Sequence, residues 1–380
     1  MTENVAILGV GMTKIEGSKT DQKLDDMIFE ATSRALQDAS VTRDDIDSVV
    51  ISACDELDGR CISSMVLATP AGSYLKDEIK VTDDGSYGVI LGAMRILSGL
   101  FDLSLVVSWC KTSEAPVAEV MNVRWDPFYH RGFGLNHITS DALMAGAYLN
   151  KYKISEEIPA KVVVKNRKNG TKNKNAHLQE PVTLDEVKSS PVISLPIREL
   201  EYAPESDGAC ALVLASPRKV KDLNRNPVWL RGFGWAIDSY YLGERDLADS
   251  NSLRIAAKKA YEMAGISNPM EEIDVAEISD FSAYHELVAY EGLGLCDRGK
   301  AADMVEKGFT EITGKLPVNP SGGLLSSNPF TAAGLFRVCE AYLQVAGRAN
   351  DHQVPAVEKA LAHGSTGFCA QGNSVFILGK

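Results

Sequence analysis

The sequence lacks the features that would assign it to a membrane-spanning, secreted or nucleic-acid-binding class. No apolar run approaches the roughly 20 residues that a transmembrane helix needs. Residues 5–9 already read as a strand, without the positively charged segment of a signal peptide before them. The net charge of −12 argues against a nucleic-acid-binding surface. These absences predict a cytoplasmic protein with no membrane span and no nucleic-acid partner.

Cysteine occurs at seven positions, but not in a pattern that predicts disulfides or a metal site. The cysteines are scattered, and no close Cys/His pairs have the spacing of a zinc site. Cys210, for example, lies in an apolar run, where a small buried thiol is the expected form. We therefore expect free thiols in a reducing compartment and no bound metal.

What the sequence does contain is an internal repeat. Residues 35–52 and 260–279 each read as a helix end, a polar turn, an Ile-Asp dipeptide and a β-branched strand. A further strand and helix precede each segment, at residues 5–10 and 24–39 in one case and 228–233 and 250–264 in the other. This arrangement predicts a duplicated βαβ-type unit in an α/β fold with largely buried sheets.

The repeat predicts how the 380 residues are divided. An N-terminal half would comprise residues 1–110 and 205–235, and a C-terminal half residues 236–380. The intervening residues 111–204 are too long for a connector and predict an inserted lid or substrate-binding loop region. An aromatic stretch within it, around Trp125 and Phe128, favours a local core or a dimer contact over a ligand site.

Residues 317–330 have the layout of a catalytic loop. An Asn-Pro turn is followed by Gly322 and Gly323, and a second Asn-Pro turn at Asn328 opens a helix. Further motifs lie at residues 164–169, 181–187, 206–209 and 286–296. In this order they resemble the thiolase-like superfamily, and within it the thiolases of the sterol-carrier-protein-x and lipid-transfer-protein type.

The resemblance covers essentially the whole chain. It implies an α/β thiolase-like fold, duplicated into five α-β-α-β-α layers, with an inserted loop region. It also implies coenzyme A thioesters as substrates, no covalently bound cofactor, and the making or breaking of a carbon–carbon bond beside the thioester. Family members are normally dimers, and this branch often works with a second thiolase-like chain or a small zinc-ribbon/OB-fold protein.

The resemblance also locates the nucleophile of the family, a cysteine at the start of a buried helix. A gap-free alignment puts Thr82 at this position, a shifted one puts Gly85 there, and no register yields cysteine. Thr82, Asp83 and Ser86 suit the capping of the helix. Alternatively, Asp83 or Asp84, desolvated near the helix start, acts as a base.

The other catalytic positions of the family have also changed. Ser279 stands where an oxyanion-holding Asn or His is expected, Asn328 replaces a histidine, and Gly367 falls near the position of a second cysteine. His363 and Cys369 flank Gly367 and are further candidates for the pocket. The glycines thus remain while the reactive side chains differ, which predicts retained thioester binding with a lost or replaced mechanism.

Substrate contacts are predicted from the same comparison. The basic stretch around Lys165, Arg167 and Lys168 would contact the phosphates of coenzyme A, unless it is a solvated helix face. The remaining residues expected to bind the substrate are Ser86, Gly322, Gly323, Gly367 and Cys369.

Three functions remain open from the sequence. The first is an acyl-CoA-binding subunit of a thiolase-type acyltransferase complex, as a homodimer or a heterodimer, without the standard cysteine. The second is a cysteine-independent retro-aldol lyase acting on a 3-hydroxyacyl-CoA, with catalytic candidates Asp83, Asp84, Ser279, Asn328 and His363. The third is a non-catalytic acyl-CoA-binding or lipid-binding protein.

Overall fold

The computed structural model describes residues 5–82, 84–223 and 226–380. Nine strands form one mixed sheet in the order β3-β2-β4-β7-β1-β8-β11-β10-β9, and β5 and β6 form a separate hairpin. The strands are β1 Ala6–Met12, β2 Ser48–Ser52, β3 Asp77–Val81, β4 Leu103–Lys111, β5 Val192–Ser194, β6 Ile197–Arg198, β7 Asp207–Ala215, β8 Val228–Ile237, β9 Val275–Glu277, β10 Lys359–Thr366 and β11 Gly372–Gly379.

The helices alternate with these strands. They are α1 Leu24–Ala39, α2 Asp55–Asp58, α3 Ser63–Leu67, α4 Gly85–Leu97, α5 Val117–Val123, α6 His137–Tyr152, α7 Glu157–Gly170, α8 Leu184–Ser189, α9 Pro217–Asp222, α10 Asn251–Ala264, α11 Pro269–Glu272, α12 Ala283–Gly292, α13 Ala301–Glu306 and α14 Ala333–Ala346. In the described part of the chain, no helix has the length and apolarity needed to span a bilayer.

The strand pairing contains the same pattern twice. β1 is antiparallel to β7, β7 is antiparallel to β4, and β4 is parallel to β2. In the second half, β8 is antiparallel to β11, β11 is antiparallel to β10, and β10 is parallel to β9. The halves join where Ala6 and Ile7 pair with Trp229 and Val228. The predicted duplication of a βαβ-type unit is therefore confirmed.

The hydrophobic cores show that these elements form five layers. Along β2, Val50 packs into a central core with α4 and α14, whereas its neighbours Val49 and Ile51 pack into an outer core with α1. Along β11, Phe376 faces the central core and Ile377 faces a second outer core with α10 and α12. Alternate strand residues point to opposite faces, so each half of the sheet is covered on both sides. The predicted α-β-α-β-α layering is confirmed.

Residues 111–204 are largely helical. They contain α5 to α8 and the β5–β6 hairpin. Val162 and Val163 of α7 belong to the same core as α12, so this region forms part of the layer over the C-terminal half. It thereby holds its α6 next to the start of α12, where the candidate site is found.

A buried ion pair connects β9 to α14. Arg337 Nη1 lies 2.6 Å from Glu277 Oε2, and the two side chains are 2% and 0% exposed. Arg337 Nη1 also donates to Ser321 Oγ at 2.7 Å, which fixes the loop that contains Gly322. A buried charge is tolerated only when it is paired in this way, so the pair links the C-terminal sheet to the middle layer.

We expect the Arg337→Met substitution to lower the free energy of unfolding by about 3–5 kcal/mol, because it leaves the Glu277 carboxylate buried without its cation. Urea denaturation at pH 7 measures this change. Arg218→Met is the matched control, since the Arg218–Asp102 pair is on the surface and the arginine side chain is 76% exposed. Equal losses in the two variants would contradict a structural role of the buried pair.

Candidate functional site

A cavity lies where the middle layer meets α6 and α12. Its inner volume is about 60 Å³. One group of lining side chains is apolar: Leu57, Met121, Phe281, Phe330 and Phe368. Another group is polar and titratable: Asp84, His137, Asp141, Tyr202 and His285. A small apolar chamber with a few converging polar groups is the usual form of a ligand-binding or catalytic site.

Asp84 forms the floor of the cavity at the start of α4. Its carboxylate caps this helix by accepting from the backbone N–H of Ser86 at 3.0 Å, and it also accepts from the hydroxyl of Ser86. The backbone N–H of Gly334, in the first turn of α14, donates to its other oxygen at 2.9 Å. One carboxylate therefore satisfies N-terminal groups of both central helices, which is the favoured place for a negative charge.

Thr82, the predicted nucleophile position, is exposed and does not line the cavity. The helix begins at Gly85, so the residue that caps it and faces the cavity is Asp84. The alignment that favoured Thr82 is therefore displaced by two residues from the wall of the site. Asp83 lies outside the described residues.

Asp141, Tyr202 and His285 form an acid–base cluster in the cavity wall. The hydroxyl of Tyr202 donates to Asp141 Oδ2 at 2.8 Å, and His285 Nε2 lies 3.5 Å from Asp141 Oδ1. The other ring nitrogen of His285 lies 3.0 Å from Ser282 Oγ, the hydroxyl that caps α12. Sequence reasoning missed this cluster, because its members come from three segments far apart in the chain.

Burial shifts the pKa values of the acidic and basic groups in opposite directions. It raises the pKa of Asp141 to about 7, since the neutral acid is favoured where water is excluded. It lowers the pKa of His285 to about 3, because the charged imidazolium is disfavoured there. Burial and then the Asp141 carboxylate raise the pKa of Tyr202 well above its usual value. Near pH 7 the cluster thus contains a carboxyl group that can both accept and release a proton.

Backbone in rarely adopted conformations occurs in the cavity wall and directly after it in the chain. Phe330, which lines the cavity, has a φ of +36°, and Cys369 and Ala370, which follow the lining residue Phe368, both have a φ of +51°. Such conformations in residues other than glycine cluster at functional sites. The thiol of Cys369 donates to the backbone oxygen of Ser140 at 3.2 Å, and burial raises its pKa, which makes it a poor nucleophile.

The remaining predicted catalytic residues are buried beside the cavity but do not line it. Ser279 Oγ donates to the backbone oxygen of His363 at 3.0 Å. His363 Nε2 lies 2.9 Å from Asn373 Oδ1, and burial lowers the pKa of His363 to about 4. Asn328 Oδ1 accepts from the backbone of Phe330 at 3.2 Å, while its Nδ2 is buried without a partner among the described residues.

The glycines that were predicted to bind the substrate have two different positions. Gly367 lines the cavity with a φ of +73°. Gly322 and Gly323 are buried at φ values of +98° and +63°, and a Cβ on Gly323 would lie 2.5 Å from the Asp280 carboxylate. This loop therefore needs glycine in order to wrap around Asp280. Of the residues predicted from the sequence, Asp84 and Gly367 are the two that the structure brings to the cavity wall.

The basic stretch on α7 does not form one exposed cationic surface. Lys165 is buried, and its Nζ lies 2.9 Å from Glu286 Oε1 and 2.9 Å from the Val318 carbonyl oxygen. Arg167 donates to the Glu180 backbone at 3.0 Å, whereas Lys168 is exposed. The predicted contact of Lys165 with a coenzyme A phosphate is wrong, because its ammonium group is already paired in the interior. Lys168 stays a prediction.

One signal in the sequence could have located the cluster. His137 and Asp141 are four residues apart, which places them on one face of α6. Both are buried there among small and apolar residues, whereas a histidine and an aspartate on an ordinary surface helix face water. The family motifs lie elsewhere in the chain and do not include this pair. Across the described residues, no group of three or more His, Cys, Asp or Glu side chains could hold a metal ion.

Comparison with known proteins gives two matching family models. The model described as "Thiolase, N-terminal domain" matches residues 5–195, and "Thiolase C-terminal domain-like" matches residues 234–380. The acetyl-CoA acetyltransferase of Methanothermobacter thermautotrophicus is 29% identical over 379 residues, covering 96% of this chain and 97% of the relative. Sterol carrier protein 2 of Oryctolagus cuniculus is 30% identical over 384 residues, covering 94% of this chain and 69% of the relative.

Two solved structures extend the comparison. The structure described as "Ltp2-ChsH2(DUF35) aldolase" has a TM-score of 0.85 and 25% sequence identity, covering 99% of this chain and 98% of the other. Human mitochondrial 3-ketoacyl-CoA thiolase has a TM-score of 0.73 at 16% identity, covering 100% of this chain and 99% of the other, which shows a shared fold.

The raised pKa of Asp141 predicts a pH-dependent effect of the Asp141→Asn substitution. Between about pH 4 and pH 7 the folded protein holds a proton on Asp141 that the unfolded chain has lost, so stability falls as pH rises through this window. The Asp141→Asn substitution removes this loss of stability. We expect the variant to be more stable than the native protein at pH 8, by on the order of 4 kcal/mol, and similar to it at pH 4.

Chemical denaturation at the two pH values measures this effect. Asp44→Asn is the control, because the Asp44 side chain is 90% exposed. If Asp141→Asn changed the free energy of unfolding by the same amount at both pH values, this result would contradict a raised pKa of Asp141.

Proposed function

This chain belongs to the thiolase family, and from that premise we propose that it is a cysteine-independent carbon–carbon lyase for a 3-hydroxyacyl-CoA thioester. The family membership supports an acyl-CoA-related activity, since the related proteins include an acetyl-CoA acetyltransferase and a 3-ketoacyl-CoA thiolase. The likeness to the structure named as an aldolase favours retro-aldol cleavage over thiolysis.

The observation that carries this proposal is the composition of the cavity wall. It contains the Tyr202–Asp141 pair, joined at 2.8 Å, and no cysteine among its described residues. Thiolysis requires a thiolate nucleophile that takes the acyl group. Retro-aldol cleavage requires only a base for the 3-hydroxyl and a group that stabilises the enolate.

The reaction balances without an added oxidant or nucleophile. The phenolic oxygen of Tyr202 takes the proton of the 3-hydroxyl while its own proton passes to the Asp141 carboxylate. The C2–C3 bond then breaks, C3 becomes a carbonyl carbon, and the bonding electron pair goes to C2 as the thioester enolate. Return of the proton to C2 gives a shortened acyl-CoA and an aldehyde or ketone. A carboxyl group with a pKa near 7 is suited to both proton transfers.

The catalytic candidates from the sequence remain part of the proposal in other roles. Asp84 faces the cavity, but its carboxylate already accepts from the starts of two helices, which favours a positioning role. Asn328, Ser279 and His363 lie beside the cavity and would support its wall. Asp83 stays a candidate from the sequence.

We also propose that the chain acts as a dimer, or together with a small zinc-ribbon/OB-fold partner. The name of the aldolase structure joins two components, Ltp2 and ChsH2(DUF35). In this chain, Phe128 and Phe133 near the Trp125–Phe368 stack are 85% and 82% exposed. Exposed aromatic side chains grouped in this way are typical of surfaces that contact a partner.

A thiolase-type acyltransferase complex is the second candidate, favoured by the acetyltransferase among the relatives. In that case the cysteine would be supplied by another chain. The two functions differ in their substrates and products. A lyase converts a 3-hydroxyacyl-CoA into an aldehyde or ketone, whereas an acyltransferase needs free coenzyme A and a 3-oxoacyl-CoA.

We expect Tyr202→Phe and Asp141→Asn each to lower kcat for cleavage of a 3-hydroxyacyl-CoA by about 100-fold or more, because each removes a step of the proton transfer. KM should change little, since neither side chain holds the coenzyme A portion. Release of the aldehyde or ketone, measured with and without a co-expressed partner, gives the rates.

Tyr241→Phe is the matched control, because Tyr241 belongs to an aromatic cluster outside the cavity and is 41% exposed. Undiminished cleavage by Tyr202→Phe would contradict the proposed proton transfer. Thiolysis of a 3-oxoacyl-CoA by the purified chain, without cleavage of the 3-hydroxyacyl-CoA, would instead support the acyltransferase.

A further inference from the structure

His137 is a polar side chain of the cavity wall with a buried ring nitrogen that has no hydrogen-bond partner among the described residues. This nitrogen is Nδ1, and the residue as a whole is 7% exposed. Leaving a buried donor or acceptor without a hydrogen bond is energetically unfavourable, so such a group in a cavity wall indicates a ligand atom that pairs with it.

The position of His137 indicates what charge that ligand atom carries. It is the first residue of the 16-residue helix α6, where the helix dipole favours negative charge. Asp141 follows one helical turn later, and the ring centroids of His137 and Tyr202 are 6.0 Å apart. The ring of His137 therefore lies close to the ring of Tyr202 and at a helix N-terminus, a place that favours a developing oxyanion.

The protonation state of His137 agrees with this role. Burial lowers the pKa of its imidazole to about 4, so the ring is neutral near pH 7 and carries one N–H. A neutral imidazole at a helix N-terminus can donate a hydrogen bond to an enolate oxygen without giving up its proton.

We propose that His137 donates its ring N–H to the thioester carbonyl oxygen of the substrate and stabilises that oxygen when it becomes an enolate. This inference rests on the proposed lyase function and adds the group that holds the enolate. In a 3-hydroxyacyl thioester, C2 alone separates the carbonyl carbon from C3. A substrate whose 3-hydroxyl meets Tyr202 therefore brings its carbonyl oxygen towards the neighbouring side chain.

Two of the residues expected from the sequence are less suited to this role. Asn328 also has a buried unpaired nitrogen, but Asn328 does not line the cavity. The hydroxyl of Ser279 is already donated to the His363 backbone. Among the described residues of the cavity wall, His137 combines a ring nitrogen without a hydrogen-bond partner, a neutral imidazole and a place beside Tyr202.

A binding experiment tests this contact without relying on turnover. The two probes are a saturated acyl-CoA thioester without a 3-hydroxyl, which cannot be cleaved, and the corresponding alkyl-CoA thioether, in which a CH₂ group replaces the carbonyl. Calorimetry gives the two Kd values for the native protein and for His137→Ala. We expect the native protein to bind the thioester about tenfold more tightly than the thioether, and the variant to bind both equally.

Two further variants sharpen the result. His137→Asn places an amide N–H near the position of Nδ1 and should restore part of the preference for the thioester. His177→Ala is the matched control, because His177 lies outside the cavity and bonds to Ser206. It should keep the preference of the native protein. Circular dichroism establishes that each variant is folded.

The outcomes separate this inference from the proposed function. A native protein without preference for the thioester, or a folded His137→Ala variant that keeps the preference, would overturn the role of His137. The lyase activity and its dependence on Tyr202 would stand in both cases. If the native protein bound neither probe, this result would contradict both the acyl-CoA function and the role of His137.

Discussion

Asp84 accepts hydrogen bonds from the first turns of both central helices, α4 from the N-terminal half and α14 from the C-terminal half. Each helix N-terminus carries partial positive charge, and two of them directed at one point repel each other unless an anion lies between them. Gly334 and Gly364 leave room for this anion, because a Cβ on either would lie 2.0 or 2.9 Å from Asp84 Oδ1. The middle layer therefore depends on a small negative side chain here, and the cavity opens beside it.

The site exists only because residues 111–204 pack against the C-terminal half. α6 supplies Asp141, the end of this region supplies Tyr202, and α12 supplies His285. The three segments share two hydrophobic cores, so the three side chains meet with little freedom to move apart. The acid–base cluster therefore lies at the boundary between residues 111–204 and the duplicated halves.

The fold could be predicted from the sequence because hydrophobic periodicity and a repeated segment are local signals. The site could be predicted only in part. Asp84 and Gly367, both expected from the sequence, line the cavity, whereas Thr82 does not, because the helix begins at Gly85 and Asp84 caps it. Lys165 was misjudged because its partner, Glu286, lies far away in sequence. Tyr202 and Asp141 carry no motif, and only tertiary packing brings them together.

The seam between the halves has a consequence for how the chain folds. Trp229, in β8, pairs with Ala6 on one side and with Gly379 on the other. Both pairings close very long loops, and loop-closure entropy must be overcome before such contacts contribute energy. We expect the two halves to form their own layers first and the seam to form last. During synthesis, the N-terminal half therefore exposes its inner sheet face until the C-terminal half has formed. Misassembly of this protein is most favoured during that interval.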